Sequence, residues 1–75
     1  MFGLLQQGER IGSYIFVIDA DGLRHAVRPN SVIVASDADV ARDETVLQIG
    51  GGRVIRVAAG LDEVLRWFGA GLHRA

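Results

Sequence analysis

Residues 45–57 read Thr-Val-Leu-Gln-Ile-Gly-Gly-Gly-Arg-Val-Ile-Arg-Val, and this stretch decides the fold. Two segments rich in β-branched residues, 45–49 and 53–57, flank three glycines, a pattern typical of a β-hairpin. Residues 61–68 follow as Leu-Asp-Glu-Val-Leu-Arg-Trp-Phe, with apolar side chains spaced as on one face of a helix. The sequence therefore predicts a hairpin that leads into an amphipathic helix able to pack on the sheet.

Three further strands are expected before this unit. Residues 13–19 form the clearest of them, because they are rich in β-branched and aromatic side chains and are apolar on both faces. The turn at 19–22, Asp-Ala-Asp-Gly, favours a hairpin that returns along residues 23–28. Pro29 cannot donate a ladder hydrogen bond, so it marks a break before the third strand at 31–36.

Together these elements predict one α+β domain over residues 1–75, with a small, twisted antiparallel β-sheet of about five strands and one C-terminal helix packed on it. We expect a loose N-terminal arm over 1–12, the sheet over 13–57, the helix over 60–70 and a tail over 71–75.

A chain this short buries a small share of its surface, and it has no cysteine for disulfides or a cysteine zinc site. Tight packing or self-association is therefore expected to supply stability.

The composition limits the kinds of partner. The net charge of −1 argues against a strong, non-specific polyanion binder. All eight basic residues are arginine, however, and their clustering on one locally basic face is compatible with this net charge. The apolar fraction of 49% is high for so small a domain, which favours a homo-oligomer or a module docked on a larger partner. With no cysteine, no signal segment and no run of about 20 apolar residues, we expect a cytoplasmic protein that does not act on membranes.

The order of features in the later part of the chain carries a resemblance. A turn at Asp21-Gly22 leads to a strand, residues 32–34 precede an acidic loop at 37–44, Thr45-Val46-Leu47 opens the hairpin, and the helix contains Glu63-Val64. In this order the chain resembles the small flagellar and swarming-motility proteins of the FlbD/SwrD type. Its strand-turn-strand-helix order is also similar to the end of LytTR-type DNA-binding domains. The resemblance implies this fold and a small bacterial or phage accessory protein, and it assigns no functional residue.

Two loops contain residues that can bind ions. The segment 50–53, Gly-Gly-Gly-Arg, can hold an anion through backbone amides, but no helix follows it and no phosphate-loop motif is present, so a hairpin turn is favoured. The acidic loop at 37–44 can gather a hard cation, but it lacks the glycine and ligand spacing of an EF-hand, so a solvated loop is favoured. We expect neither a metal nor a cofactor.

Candidate acid–base residues are few. Asp19 and Asp21 can divide acid and base roles, but they flank a tight turn, where aspartates accept backbone N–H bonds. His25 can act as a base, yet the sequence offers it no evident companion and no nucleophile motif. A structural role is favoured for all three residues, and we expect no enzyme activity.

The residues predicted to make intermolecular contacts are aromatic or basic. Trp67 lies beside the helical apolar stripe, where it can complete the core or anchor an interface, and Arg66 and Arg56 can join it in one patch. The other candidates are Arg53, Tyr14 and Phe16. The predicted function is a non-enzymatic accessory or regulatory module that binds a protein partner or itself. A small nucleic-acid-binding regulator and a phage- or plasmid-encoded inhibitor of a larger complex remain the alternatives.

Overall fold

The computed structural model describes residues 5–69 and confirms a small α+β fold. In chain order its elements are β1 (Arg10–Ile11), β2 (Tyr14–Ile18), β3 (Arg24–Val27), a short 3₁₀ helix (Pro29–Ser31), β4 (Val32–Asp37), β5 (Thr45–Ile49), β6 (Arg53–Val57) and α1 (Leu61–Phe68). The expectations for residues 1–4 and 70–75 lie outside the described residues. Within residues 5–69, no helix is long and apolar enough to cross a membrane.

The hairpin predicted from residues 45–57 is confirmed. β5 and β6 pair antiparallel, with Thr45 opposite Val57 and Ile49 opposite Arg53. Gly51 and Gly52 have φ angles of 90° and 87°, a left-handed conformation that glycine adopts without a steric penalty. The glycines therefore form the turn, and the alternating residues on either side form the ladder.

The expectation of one sheet of about five strands is corrected, because residues 5–69 contain six strands, which form two three-stranded sheets. The first has the order β1-β2-β3 and the second has the order β4-β5-β6. Pro29 and the 3₁₀ helix that it begins separate β3 from β4, so the chain leaves the first sheet there. The two sheets meet through a bridge between Asp19 and Val57, and the N–H of Ala20 donates to the carbonyl of Arg56 at 2.7 Å.

The hydrophobic core lies between the two sheets and α1. Its buried members are Ile15, Val17, Val27, Leu47, Ile55, Val57, Ala59, Val64 and Phe68. On α1, Val64 and Phe68 are at most 5% exposed, whereas Leu65 of the predicted apolar stripe remains 39% exposed. Thr45 is fully buried, and its hydroxyl donates to the carbonyl of Ala59 at 2.8 Å. This bond ties β5 to the connection between β6 and α1.

The described part of the N-terminal arm lies alongside β2. The N–H of Gly8 donates to the carbonyl of Phe16 at 2.8 Å, and the N–H of Phe16 donates to the carbonyl of Glu9 at 2.9 Å. The side chain of Gln7 bonds both the N–H and the carbonyl of Ile18. These bonds extend the β1–β2 pairing toward the N-terminus and place Gly8 against α1.

Candidate functional site

An open groove of about 630 Å³ lies between β4 and α1, and we call it the β4 groove. Its apolar lining includes Val32 and Ile33 from β4 and Leu65 and Phe68 from α1. The β1–β2 turn and the segment after β3 supply its polar rim, and Arg10 belongs to that rim. The groove therefore lies directly over the buried core, beside β4.

β4 is an edge strand, since within residues 5–69 it pairs with β5 alone. Its register shifts between Val32 and Val34, so Ile33 lies in a bulge. Ile33 is 69% exposed, Val34 is 42% exposed, and Leu65 across the groove is also exposed. Large apolar side chains therefore flank β4, and its regular part after the bulge, residues 34–37, presents a backbone edge that can accept another strand.

Opposite charges lie at the two ends of β4. Arg10 and Arg28 line the β4 groove together with Pro29, which precedes the strand. Asp37 is the last residue of β4, and Asp39 follows it in the loop. All four charged side chains are exposed. The edge strand therefore runs from a basic end to an acidic end.

A second groove, of about 420 Å³, lies between β3 and the β5–β6 hairpin, and we call it the basic groove. Arg24, His25, Arg28 and Arg53 line it, and Tyr14 adds an aromatic ring. Among the described residues, no acidic side chain contributes to this lining. The locally basic face with which the sequence was compatible is thus present, despite a net charge of −1.

Tyr14 and Arg28 form a cation–π pair at the edge of the basic groove. The β2–β3 register pairs Ile15 with Val27, and one further step places Tyr14 opposite Arg28. The guanidinium carbon of Arg28 lies 5.4 Å from the centroid of the Tyr14 ring, within the range of a cation–π contact. Because Tyr14 is 39% exposed, part of the ring remains open to a ligand.

His25 has a partner that the sequence alone did not identify. Its Nε2 lies 2.8 Å from Oδ2 of Asp19, whose Oδ1 accepts the backbone N–H groups of Asp21 and Leu23, each at 2.9 Å. The hydrogen bond from His25, followed by that from Leu23, lowers the pKa of the Asp19 carboxyl. The turn role predicted for Asp19 is confirmed. The hairpin register supplies the missed signal, since Val17 opposes His25 and lies two residues before Asp19, on the same face.

Carboxylates of the acidic loop pair with Arg56. Its Nε donates to Oε1 of Glu44, and its Nη2 lies 3.6 Å from Oδ2 of Asp39. Oδ1 of Asp39 accepts the N–H of Ala41 at 3.0 Å. The hydrogen bond to the Glu44 carboxylate raises the pKa of the Arg56 guanidinium, so this side chain stays charged. In the part of the chain that is described, no three histidine or acidic residues converge as metal ligands.

The three residues of the predicted C-terminal patch have different neighbours. Trp67 is half-buried, packs on the core and covers Gly8. Arg66 is exposed and lines a cleft that also contains Asp37. Arg56 is exposed and pairs with the acidic loop. The indole of Trp67 therefore packs within the chain.

The other three predicted contact residues divide between surface and interior. Tyr14 and Arg53 line the basic groove together. Phe16 is 6% exposed, so its ring packs inside the protein. The sequence did not indicate that Ile33 and Leu65 would be exposed, because their exposure depends on how β4 and α1 pack.

Comparisons of the chain with models of protein families, with curated proteins and with solved structures gave no match. The resemblance to flagellar and swarming-motility proteins therefore stays a prediction. Function is accordingly inferred from the β4 groove and the basic groove.

Proposed function

We propose that the protein is a non-enzymatic docking module that self-associates through the β4 groove and the edge of β4. The observation that carries this proposal is the exposure of Ile33, Val34 and Leu65 beside a strand edge that no other strand within residues 5–69 pairs with. Exposed strand edges pair with other chains, and contiguous exposed apolar side chains mark interaction sites. The proposed role is an accessory or regulatory one, and the lack of cysteine fits a reducing compartment such as the cytoplasm.

The size of the chain supports the same proposal. A domain of 75 residues has a high ratio of surface to volume, and its apolar fraction is 49%. Covering the β4 groove would remove the side chains of Ile33 and Leu65 from water and add to the apolar area buried. Association would thus stabilise a fold whose own core is small.

A second copy of the chain is the proposed occupant. In an antiparallel pairing of two β4 strands, centred on Ala35, Val34 lies opposite the partner's Ser36 and Ile33 lies opposite the partner's Asp37. The basic end of each strand, marked by Arg10, then lies near the acidic end of the other. Charge complementarity of this kind fixes register and suppresses other pairings.

Twofold symmetry repeats each favourable contact. In an isologous interface, a contact between residue i of one copy and residue j of the other occurs twice. Arg10 of each copy therefore faces Asp37 of the other copy, and both exposed Ile33 side chains are covered. A parallel arrangement would instead bring like charges together, so the antiparallel pairing is the favoured one.

Sedimentation equilibrium of the Ile33→Lys variant tests the proposal. We expect a concentration-dependent dimer for the wild type and a dissociation constant raised about tenfold or more in the variant, because a charged side chain would have to be buried at the edge. Val40→Lys is the matched control, since Val40 is 97% exposed in the acidic loop, outside the β4 groove. A wild type that stays monomeric, or equal weakening by both variants, would contradict the proposal.

A further inference from the structure

We infer that the basic groove binds single-stranded nucleic acid through its phosphate backbone. Arg24, Arg28 and Arg53 line one groove, and Tyr14 lies at its edge. A positively charged groove combined with an aromatic ring is the arrangement by which single strands are bound without sequence preference. This inference goes beyond the proposed self-association, because it rests on a different groove, which shares Arg28 alone with the lining of the β4 groove.

The three arginines carry charge that the protein itself does not neutralise. Within residues 5–69, none of Arg24, Arg28 and Arg53 forms an ion pair with a described carboxylate. The carboxylate of Asp19, which bonds the groove residue His25, also accepts the turn amides of Asp21 and Leu23. An anion in the groove would therefore meet positive charge that no described carboxylate neutralises.

The spacing of the arginines favours a linear polyanion over a single ion. Arg24 and Arg28 are four residues apart along an extended segment, so their backbones are separated by about 13 Å. Arg53 faces the same groove from the β5–β6 hairpin. The three guanidinium groups therefore enter the groove from three separate backbone positions, and successive phosphates of one strand can each meet one of them.

The shape of the groove favours a single strand over a duplex. The groove is concave, lies between two sheets and has a volume of about 420 Å³. A flexible strand can enter such a cleft, whereas a duplex presents a stiff, convex surface. The ring of Tyr14, backed by Arg28 at 5.4 Å, gives an exposed base a surface on which to stack.

Fluorescence anisotropy with a labelled oligouridylate of about 12 nucleotides, a length within known site sizes, tests the inference. We expect the logarithm of the affinity to fall against the logarithm of the salt concentration with a slope of about −2, from three phosphates at about 0.7 each. Arg24→Gln and Arg53→Gln should each weaken binding at low salt and reduce that slope by about 0.7. Arg66→Gln is the matched control, because Arg66 is exposed in a different cleft.

Three results would overturn the inference. The first is the absence of binding at low salt by the wild type, with the fold verified by circular dichroism. The second is equal loss of affinity in Arg53→Gln and Arg66→Gln, which would indicate diffuse attraction. The third is equal affinity for a duplex or for inorganic polyphosphate together with no effect of Tyr14→Leu, which would indicate a general anion groove.

Discussion

Gly8 lies directly against the indole of Trp67, which belongs to α1. Gly8 has a φ of 86°, and a Cβ atom built on it would overlap the indole of Trp67. A side chain at this position would thus meet both backbone strain and a collision with an aromatic ring. A glycine in a loose arm carries no such requirement, so the contact indicates that residues near Gly8 belong to the packed fold.

We therefore expect Gly8→Ala to lower the free energy of unfolding by about 2 kcal/mol. Gly12→Ala is the control, because Gly12 has a φ of 59° but no atom within 4 Å of the added Cβ position, and it should cost about 1 kcal/mol from backbone strain alone. Urea unfolding followed by the fluorescence of the single tryptophan measures both. Equal costs for the two variants would show that the indole does not pack on Gly8.

The Asp19 carboxyl makes the free energy of unfolding depend on pH. Its pKa is lowered in the folded protein, chiefly by the hydrogen bond from His25, so its ionised form favours folding. This contribution is fully present above the unfolded-state pKa of about 3.9 and is lost as the pH falls toward the lower folded-state value. We expect the wild type to lose more stability than Asp19→Asn as the pH is lowered through that interval. Stability curves of the two proteins that stay parallel, measured by urea unfolding at each pH, would contradict this assignment.

At the scale of elements, the local signals predicted β5, β6 and α1 well. Alternating β-branched residues and a glycine turn are adjacent in the chain, so neither strand needs a distant partner to be recognised. The apolar spacing that predicts α1 also lies within one short segment, and Val64 and Phe68 do face the core. The exposure of Leu65 could not be foreseen, because it depends on the space left open between α1 and β4.

The division into two sheets depends on long-range packing, and the sequence did not reveal it. Pro29 predicted a break, but a break does not say whether the next strand rejoins the same sheet. The Asp19–Val57 bridge, which connects the two sheets, joins residues that are far apart in the chain. Of the basic groove, the sequence singled out Tyr14 and Arg53 but not Arg24 and Arg28, since only the packing of β3 against the hairpin brings these residues together.

At the scale of the whole molecule, charge is distributed in two regions. Arg24, Arg28 and Arg53 line the basic groove, whereas Asp39 and Glu44 lie in the loop between β4 and β5. The net charge of −1 conceals this separation. A molecule with this polarity can pair Arg10 with Asp37 of a second copy while Arg24 and Arg53 of the basic groove stay open on each copy.

A charge exchange between Arg10 and Asp37 tests the antiparallel dimer most directly. Arg10→Glu and Asp37→Arg should each raise the dimer dissociation constant about tenfold, because each places like charges together at both symmetric contacts. An equimolar mixture of the two variants, followed by sedimentation velocity with one of them labelled, should regain wild-type affinity, since every contact in the mixed dimer again joins opposite charges. A mixture that associates as weakly as either variant alone would contradict the proposed interface.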